Sequence, residues 1–534
     1  MSNRDNLPFG RHSDRVMNFG SFLTQAAARL PDHPALIRGE TMRTYGEINR
    51  RADAIAHALM KMGIAKGDAV LMHSANELDM AEAMYGVFKT GAVLVPTNFR
   101  LGPEDIAKMG QASGATAFVG HARFGEHIEA VRKAGYAADR EIIIGETYDA
   151  VVAAHENDGP FPTATVDYND PCWYFFTSGT TGFPKCAVLT HGHMAFVINN
   201  HQADLMPGLD HRDRSLVIAP LSHGAGLHYF VQIAKGATNV FMPGDGLDPE
   251  EAFQLIETHR VTNMFTVPTI IKRLVDHEVV DRFDHSSLRH VIYAGAPMYR
   301  EDQKKALAKL GPCLVQYFGM GEVTGAITWL PADEHTSNDA QMRIGSCGFA
   351  RTGMEVAILD DEGAALGPMQ TGDIATRGPA VCSGYLNNDE ANAEAFRDGW
   401  FVTGDVGHLD EAGYLYITGR RSDMYICGGS NVYPREVEEK ILEHPAVVEI
   451  AIVGVPDRDW GEVGAAAIVV SDPSQDMAAS LDDWIETHIA KYKRPRHLVF
   501  WDAIPKSGYG KIEKKTVRAM LKEGALSHLF DDDG

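Results

Sequence analysis

Short apolar runs alternate with helix-length segments over much of this 534-residue chain. The runs lie at 69–73, 92–98, 117–120, 141–144, 215–219, 239–242, 263–267 and 290–295. This alternation predicts α/β layers built on largely parallel sheets. Thr44 and Glu47 form a capping-box pattern before apolar residues at helical spacing that end near Gly63, so we expect an amphipathic helix there. A chain of this length exceeds what one hydrophobic core supports, and we predict at least two domains.

The sequence changes character twice toward its C-terminus. From about residue 340 to 420, short strand-like runs alternate with Gly-rich turns, which predicts a small β-rich subdomain. Beyond Met424, helical segments at 434–444 and 478–490 flank apolar strand-like runs, which predicts a compact α+β unit. We therefore expect a large N-terminal domain at 1–420, made of two α/β sheet lobes and the β-rich subdomain. A junction at 420–422 then leads to a small α+β domain at 423–534.

Charge and cysteine content restrict the partners and the cellular compartment that we expect for this chain. The chain has 49 Lys and Arg against 72 Asp and Glu residues, a net charge of -23, which argues against a nucleic-acid partner. A dense basic run at 491–496 is interpreted as a solvated loop, with a phosphate contact as the alternative. Six cysteines without a CxxC pair fit a reducing compartment. The sequence shows no signal-like or membrane-length apolar segment, so we predict a cytoplasmic location and no integral membrane segment.

The segment TSGTTGFPK, from Thr177 to Lys185, is the strongest chemical signal in the sequence. It follows an apolar strand-like run, and its glycines, hydroxyls and lysine let backbone N–H groups and an ammonium reach phosphate oxygens. It is not a Walker A loop, in which Gly, Lys and Ser or Thr are consecutive. An ordinary surface turn is the alternative. The candidate triphosphate-binding residues are Thr177, Ser178, Gly179, Thr180, Thr181, Gly182 and Lys185.

This loop resembles the phosphate loop of the adenylate-forming superfamily, which includes acyl- and aryl-CoA synthetases, adenylation domains and luciferases. Further motifs follow in the family's order from about residue 20 to 520, so the resemblance spans nearly the whole chain. It implies an ATP-dependent ligase that activates a carboxylic acid as its acyl-adenylate and passes the acyl group to coenzyme A. ATP, Mg²⁺ and coenzyme A (CoA) are the co-substrates and the metal that this resemblance implies.

Three internal motifs imply residues around the nucleotide and the acid. In APLSHGAGLH, His223 and Gly224 correspond to residues beside the acyl group, although a lone histidine is otherwise a common core residue. HVIYAGAPM and VQYFGMGEVTG correspond to segments around the adenine, and the glutamate of the second binds Mg²⁺ in the family. The implied residues are Gly295, Ala296 and Pro297 from the first, and Tyr317, Phe318, Gly319, Met320 and Glu322 from the second, with Gly319 also facing the acyl group.

Two positions depart from the family's pattern. Gly321 stands where most relatives carry a threonine whose hydroxyl meets the α-phosphate, so that contact is missing, replaced by water or supplied by Thr324. Phe318 lacks the hydroxyl of the usual tyrosine. These departures affect single phosphate contacts and leave the predicted fold unchanged.

Motifs near residue 410 imply the ribose contacts and a hinge. GWFVTGD supplies Asp405 for both ribose hydroxyls, because one carboxylate accepts hydrogen bonds from two adjacent donors. GRRSD supplies Arg420 for the ribose and phosphates, and its Arg421 and Ser422 correspond to the hinge of a mobile C-terminal domain. Relatives usually carry Lys or Asp in place of Ser422.

Two further motifs belong to the mobile domain by the same resemblance. Gly428 and Gly429 correspond to a loop that lines the pantetheine tunnel, and the reading from the residues alone is a β-turn before a helix capped near Tyr433 and Pro434. PKSGYGKIEKK supplies Lys511 as the mobile catalytic cation. The residues implied in catalysis are Lys511, Glu322, Thr177 and Lys185.

The sequence leaves the identity of the acid open. Small residues near the expected pocket, which are Gly224, Ala225, Gly226, Ala296, Gly319 and Gly321, suggest room for a long or bulky group. We favour a medium- or long-chain fatty acid, with an aryl acid as the alternative. A freestanding enzyme that loads a carrier protein, a luciferase-like oxygenase and a non-catalytic nucleotide-binding regulator are the other hypotheses. The sequence also leaves the oligomeric state open, and a homodimer is one alternative.

Overall fold

The computed structural model describes residues 15–137, 139–177, 184–296, 298–471, 474–506 and 512–530, apart from the side chains of 475 and 476. The strands of the described residues are β1 (Arg15–Val16), β2 (Pro34–Arg38), β3 (Thr41–Thr44), β4 (Ala69–His73), β5 (Val93–Pro96), β6 (Ala115–His121), β7 (Glu141–Ile144), β8 (Val166–Asp167), β9 (Pro171–Thr177), β10 (Lys185–Thr190), β11 (Arg214–Val217), β12 (Thr238–Phe241), β13 (Asn263–Thr266), β14 (His290–Tyr293), β15 (Leu314–Phe318), β16 (Thr328–Leu330), β17 (Phe349–Ala350), β18 (Glu355–Leu359), β19 (Gly372–Arg377), β20 (Phe396–Arg397), β21 (Trp400–Leu409), β22 (Leu415–Arg420), β23 (Tyr425–Cys427), β24 (Ser430–Val432), β25 (Val447–Asp457), β26 (Gly461–Val470) and β27 (His497–Phe500).

The α-helices of the same residues are α1 (Ser21–Arg29), α2 (Tyr45–Lys61), α3 (Leu78–Thr90), α4 (Pro103–Ala112), α5 (Gly125–Ala134), α6 (Tyr148–His155), α7 (His191–Asp204), α8 (Gly224–Lys235), α9 (Pro249–His259), α10 (Pro268–Asp276), α11 (Arg300–Leu310), α12 (Asp389–Ala395), α13 (Pro434–Leu442), α14 (Gln475–His488) and α15 (Lys514–Glu523). The chain divides into two compact units. The first comprises the residues up to Val356 together with Thr376–Phe401, and the second comprises Ala357–Ala375 and the residues from Val402 onward. The predicted junction at 420–422 lies inside the second unit. The predicted hinge at Arg421 and Ser422 implies that the C-terminal domain moves, and it stays a prediction.

Two large sheets form the first unit, which confirms the predicted pair of α/β lobes. The six-stranded sheet has the order β10-β9-β5-β4-β6-β7 and is parallel except for β10. The nine-stranded sheet has the order β17-β16-β15-β14-β13-β11-β12-β2-β3, parallel from β15 to β2 and antiparallel at both ends. Every residue of β4 and β5 is buried, which explains why these strands read as continuous apolar runs.

Helix α2 begins at the predicted capping box. The Oγ1 of Thr44 accepts a hydrogen bond from the backbone N–H of Glu47 at 3.3 Å, and the Glu47 carboxylate accepts one from the backbone N–H of Thr44 at 2.7 Å. Two N–H groups at the helix start are thereby satisfied. The helix ends at Lys61, and Gly63 follows in the left-handed region with a φ of +84°.

An aromatic cluster fixes helix α8 against strand β9. The ring of Phe230, on α8, lies 5.1 Å from Phe19, 5.4 Å from Phe88 and 5.7 Å from Trp173 on β9, in edge-to-face arrangements. Such pairs contribute about 0.5–1.5 kcal/mol each beyond the burial of their area. The cluster matters for function because α8 follows His223 and β9 ends at Thr177.

Residues 355–420 form strands β18 to β22 and the helix α12, as predicted for a β-rich subdomain. Strands β18, β19, β21 and β20 lie in that order, and β22 pairs with β21. The later part of the second unit is α+β, also as predicted. Its antiparallel strands have the order β24-β23-β26-β25, and β27 pairs with β26 in the parallel direction. Val437, Leu481 and Val517, from three different helices, are buried in the core of this unit.

The basic run at 491–496 has partners inside the second unit. The Lys493 ammonium pairs with both carboxylate oxygens of Glu436 at 2.5 and 2.7 Å, and Arg494 Nε donates to the carbonyl of Ile489 at 2.7 Å. All six cysteines are buried, and none forms a disulfide. Within the described part of the chain, no helix combines the length and the apolar character needed to cross a bilayer.

Candidate active site

The predicted phosphate loop connects two antiparallel strands of the six-stranded sheet. β9 ends at Thr177 and β10 begins at Lys185, and these two residues pair with each other in the register of the strands. The two ends of the loop therefore lie side by side. Ser178, Gly179, Thr180, Thr181 and Gly182 lie outside the described residues, and their phosphate contacts stay predictions.

Glu322 lies beside the start of this loop. It sits in a 3₁₀ turn, Gly321–Val323, that follows β15, and its side chain is buried. The Thr177 hydroxyl donates to Oε1 of Glu322 at 2.8 Å, and the Tyr385 hydroxyl donates to the same oxygen at 3.0 Å. The other carboxylate oxygen, Oε2, is buried and has no hydrogen-bond partner among the described residues. The fold therefore brings together Thr177 and Glu322, which both belong to the predicted site.

Tyr385 is a member of this cluster that sequence reasoning does not identify. Its segment runs beside β10, where Leu386 N–H donates to the carbonyl of Cys186 at 2.8 Å. Burial, reinforced by the Glu322 carboxylate, raises the pKa of Tyr385, so its hydroxyl stays protonated and donates. The Lys185 ammonium lies 5.2 Å from the centre of the Tyr385 ring. The sequence signal is a Gly-Tyr pair at 384–385, which is too common to indicate a site.

Gly321 is in close contact with Phe175 of β9. A Cβ at residue 321 would lie 2.4 Å from Cδ1 of Phe175 and 2.9 Å from Cγ2 of Thr177. The Phe175 ring is buried and lies 5.1 Å from the ring of His223. This packing gives a physical reason for glycine where the family carries threonine. Thr324 does not replace that hydroxyl in this structure, because its side chain is fully buried and donates to the carbonyl of Val323 at 2.8 Å.

His223 immediately precedes the first residue of α8, and its place beside the acyl group stays a prediction. Its Nδ1 lies 2.7 Å from the carbonyl oxygen of Ser222. Next along the chain, Gly224 faces two aromatic rings, because a Cβ there would lie 3.0 Å from Cζ of Phe265 and 3.2 Å from the hydroxyl of Tyr317. Those two rings stack on each other with centroids 5.8 Å apart.

The glycines of the predicted pocket do not leave open space. A Cβ at Gly226 would lie 2.1 Å from the carbonyl oxygen of Leu221, and one at Gly319 would lie 2.3 Å from the backbone of Gly325. The positions facing Gly224 and Gly321 are filled by aromatic rings. On the Cβ side of these four glycines there is thus no free space, and the predicted room for a long or bulky group stays a prediction. Glycine serves there to let neighbouring groups approach closely.

The predicted adenine-side residues lie at the end of β15 or just after the ends of β14 and β15. Gly295 has a φ of +84°, a conformation that favours glycine, and both it and Ala296 are exposed. Pro297 lies outside the described residues. Tyr317 is buried, whereas Phe318 and Met320 are partly buried and pack against a small apolar cluster that includes Val323 and Ala326.

Asp405 and Arg420 face each other on strands β21 and β22 of the second unit. The Asp405 side chain is buried, and its Oδ1 lies 3.3 Å from Nε of the half-exposed Arg420. Arg421 follows in a 3₁₀ turn, where its Nε donates to Asp373 at 2.7 Å, and Ser422 next to it is exposed. The fold thus pairs the two predicted ribose-binding residues, while their role stays a prediction.

Gly428 and Gly429 form the turn between β23 and β24, with φ values of +56° and +80°. Two left-handed residues in a two-residue hairpin turn favour glycine. Helix α13 begins at Pro434, which confirms the predicted turn followed by a helix. The pantetheine tunnel stays a prediction. Lys511 lies outside the described residues, and its catalytic role likewise stays a prediction.

Comparison with known proteins agrees with this arrangement. A family model described as AMP-binding enzyme matches residues 23–386, and one described as AMP-binding enzyme C-terminal domain matches residues 436–511. A feruloyl-CoA synthase from Amycolatopsis sp is 35% identical over 94% of this chain and 99% of its own length. The long-chain-fatty-acid–CoA ligase FadD13 of Mycobacterium tuberculosis is 33% identical over 94% and 98% of the two chains.

Solved structures give the same result. ATP-bound MatB from Rhodopseudomonas palustris is similar with a TM-score of 0.85 and 26% identity, over 95% of this chain and 99% of that one. The similarity thus covers both the large sheets and the C-terminal α+β part. The chain therefore belongs to the AMP-binding enzyme family of the adenylate-forming superfamily, and it is an ATP-dependent enzyme of that family.

Proposed function

We propose that this chain is an AMP-forming acid:CoA ligase, which joins a carboxylic acid to the α-phosphate of ATP and then transfers the acyl group to the thiol of CoA. The observation that carries this proposal is the buried Glu322 carboxylate, held by the hydroxyls of Thr177 and Tyr385 at the start of the candidate phosphate loop. Relatives that act with CoA are similar over nearly their whole length. We also propose a cytoplasmic location, which is supported by six cysteines that are all buried and free of disulfides.

The first half-reaction needs charge neutralisation. A carboxylate oxygen of the acid attacks the α-phosphorus, and pyrophosphate leaves from a highly negative centre. Thr177 and Lys185 would contact the β- and γ-phosphates, together with the loop between them. Lys511 would lie between the carboxylate and the α-phosphate. Losing one such preorganised donor typically lowers the rate by about 10²- to 10³-fold.

Glu322 fits Mg²⁺ by the chemistry of its oxygens. Its Oε2 is buried without a hydrogen-bond partner in the described residues, and a carboxylate oxygen is a preferred ligand of this hard cation. The described residues contain no cluster of three His, Cys, Asp or Glu side chains that could hold a metal by itself. Mg²⁺ generally keeps several waters and binds through one or two carboxylates plus substrate phosphates. Bound there, Mg²⁺ would supply Lewis-acid neutralisation of phosphate charge.

In the second half-reaction, the CoA thiol attacks the acyl-adenylate carbonyl and AMP leaves. Asp405 would accept from the ribose hydroxyls, and Arg420 would reach the ribose and phosphate. We propose that the C-terminal domain turns about Arg421 and Ser422 between the two steps, so that the turn at 428–429 lines the path of the pantetheine arm. The resemblance to the family supports this sequence of events.

For the acid, the packing around α8 supports a compact aromatic substrate. Phe175, His223, Phe265 and Tyr317 surround the predicted acyl region, and the glycines between them are in close contact with neighbours. A medium- or long-chain fatty acid is the second candidate. It is favoured by the 33% identity to a long-chain-fatty-acid–CoA ligase.

The test is a panel of aryl and alkyl carboxylates, incubated with the purified full chain, ATP, Mg²⁺ and either CoA or an acyl carrier protein. We expect pyrophosphate and AMP to be released with at least one acid when CoA is the only thiol. Turnover that occurs with the carrier protein and not with CoA would assign the chain to carrier loading instead. Absence of pyrophosphate release with every acid would overturn the proposed function.

A further inference from the structure

A short segment beside β10, residues 382–386, contacts Glu322 at two points. The backbone N–H of Cys382 donates to the carbonyl oxygen of Glu322 at 2.7 Å, and the Tyr385 hydroxyl donates to its Oε1 at 3.0 Å. The Tyr385 side chain is buried among its neighbours, with 8% of the residue exposed. None of the motifs that predict the site includes this segment. The structure therefore adds to the site a residue whose role the sequence leaves unassigned.

Hydrogen bonds from two elements hold the backbone of this segment. Val188, on β10, donates its N–H to the carbonyl of Gly384 at 2.9 Å, and its own carbonyl accepts from the N–H of Ser383 at 3.0 Å. The side-chain amide of Asn392, on α12, binds the backbone of Tyr385 twice. Its Oδ1 accepts from the Tyr385 N–H at 2.6 Å, and its Nδ2 donates to the Tyr385 carbonyl at 3.0 Å. The backbone that carries the tyrosine is therefore fixed relative to β10 and α12.

The two oxygens of the Glu322 carboxylate are hydrogen-bonded unequally. Oε1 accepts from the hydroxyls of Thr177 and Tyr385, at 2.8 and 3.0 Å. Oε2 is buried and has no hydrogen-bond partner among the described residues. Each carboxylate oxygen has two lone pairs, so two hydroxyl donors use the capacity of Oε1 and leave that of Oε2. A buried oxygen without a donor costs free energy, which a bound cation would offset.

The ring of Tyr385 also contacts the lysine that ends the predicted phosphate loop. The Lys185 ammonium lies 5.2 Å from the centre of this ring, which is within the range of cation–π attraction. The same ammonium is 3.8 Å from a carboxylate oxygen of Glu394, whose side chain is 72% exposed, and exposed pairs of this kind contribute little. The single side chain of Tyr385 thus contacts Glu322 through its hydroxyl and Lys185 through its ring.

We propose that Tyr385 is a positioning residue for the nucleotide chemistry, because its hydroxyl occupies Oε1 of Glu322 and thereby leaves Oε2 to bind Mg²⁺. This inference deepens the proposed function and rests on it. Without the tyrosine hydroxyl, only Thr177 would hold the carboxylate, which could then turn about its last bond and present either oxygen. Groups that hydrogen-bond a metal ligand typically change metal affinity or activity by about 10- to 100-fold when they are removed.

The test measures binding by isothermal titration calorimetry on the full chain, without a carboxylic acid. The three ligands are ATP with saturating Mg²⁺, ATP with EDTA, and AMP. We expect Tyr385→Phe to raise the Kd for ATP with Mg²⁺ by about tenfold or more. The Kd for metal-free ATP and the Kd for AMP should stay at their wild-type values, because the ring that contacts Lys185 remains and AMP has no β- or γ-phosphate. A merely structural role of Tyr385 would instead weaken the binding of all three ligands.

Tyr148→Phe is the matched control. The Tyr148 hydroxyl also lies 3.0 Å from Oε1 of a buried glutamate, Glu82, which is not part of the candidate site, so this variant should keep all three wild-type Kd values. Asn392→Ala is the second variant, because it removes both hydrogen bonds from α12 to the backbone of Tyr385. It should selectively raise the Kd for ATP with Mg²⁺, by less than Tyr385→Phe does. If Tyr385→Phe does not fold, Asn392→Ala decides, and a wild-type Kd for ATP with Mg²⁺ in that variant overturns the inference.

Three results with folded protein overturn the inference alone. They are a wild-type Kd for ATP with Mg²⁺ in Tyr385→Phe, equal losses of affinity for ATP with Mg²⁺ and for AMP in that variant, and a wild-type chain that binds ATP equally with and without Mg²⁺. Failure of the wild-type chain to bind ATP under either condition overturns the proposed function, and the inference with it.

Discussion

The contact between Gly321 and Phe175 predicts a large effect of a single methyl group. Gly321→Ala places a Cβ 2.4 and 2.5 Å from two carbons of the Phe175 ring, whereas carbon atoms prefer separations of about 3.5–4.0 Å. The ring must therefore move by about 1 Å. It is confined, because Trp173 lies 5.5 Å and His223 5.1 Å from it between ring centres. Overpacking of this kind costs about 1–3 kcal/mol.

The same methyl group should also lower activity. It would lie 2.9 Å from Cγ2 of Thr177, whose hydroxyl holds Glu322 at 2.8 Å, so this hydrogen bond must be displaced. A displacement of about 1 Å at an active site can lower the rate by about 10²-fold. We expect the rate of ATP–pyrophosphate exchange to fall by at least about tenfold. The midpoint of thermal unfolding should fall by a few degrees, as a loss of about 1–3 kcal/mol implies.

Two matched variants make the result interpretable. Gly244→Ala is the control, because no heavy atom lies within 4 Å of the added Cβ, and both its stability and its activity should match the wild type. Phe175→Leu vacates the space, so Gly321→Ala should cost less in that background, with a coupling of about 1 kcal/mol or more. The reasoning is refuted if Gly321→Ala behaves like Gly244→Ala, or if the two substitutions are additive.

Three further substitutions test the roles of Glu322, Lys511 and Arg351, and a fourth is the control for the last. Glu322→Gln should lower ATP–pyrophosphate exchange by about 10²- to 10³-fold, and an unchanged rate would remove it from the catalytic site. Lys511→Ala should abolish that exchange yet spare thioester formation from supplied acyl-adenylate, whereas equal loss of both steps would reject its role. Arg351→Met should destabilise the first unit by about 3–5 kcal/mol in chemical unfolding, because it leaves the buried Asp204 carboxylate without its cation at 2.8 Å. The exposed Arg377→Met should change stability by less than about 1 kcal/mol, and equal effects would contradict this reasoning.

Local signals in the sequence predict the secondary structure well. The capping box at Thr44 and Glu47 fixes the start of α2 because both partners lie within one turn of the chain. The strands β4 and β7 coincide with the predicted apolar runs, since continuous burial needs continuous apolar side chains. The turn at 428–429 is equally local, because a two-residue hairpin with left-handed residues favours glycine.

The contacts that shape the site are not local, and the sequence does not predict them. Tyr385 reaches Glu322 across 63 residues, through a segment that runs beside β10. The space beside Gly321 is occupied by the ring of Phe175, which lies on a strand of the other large sheet. The sequence alone therefore suggests open space at this glycine where a ring lies. His228 on α8 likewise lies within hydrogen-bond distance of Ser215 on β11 and Asn263 on β13, and no spacing within one element indicates these contacts.

The most direct test of the central claim follows one oxygen atom. The proposed reaction breaks the bond between the α- and β-phosphates and leaves a carboxylate oxygen of the acid on the α-phosphate. When the acid is labelled with ¹⁸O in its carboxylate and turned over with ATP and CoA, mass spectrometry of the AMP should therefore detect one ¹⁸O atom per molecule. Unlabelled AMP, or ADP in its place, would contradict an acyl-adenylate on the pathway.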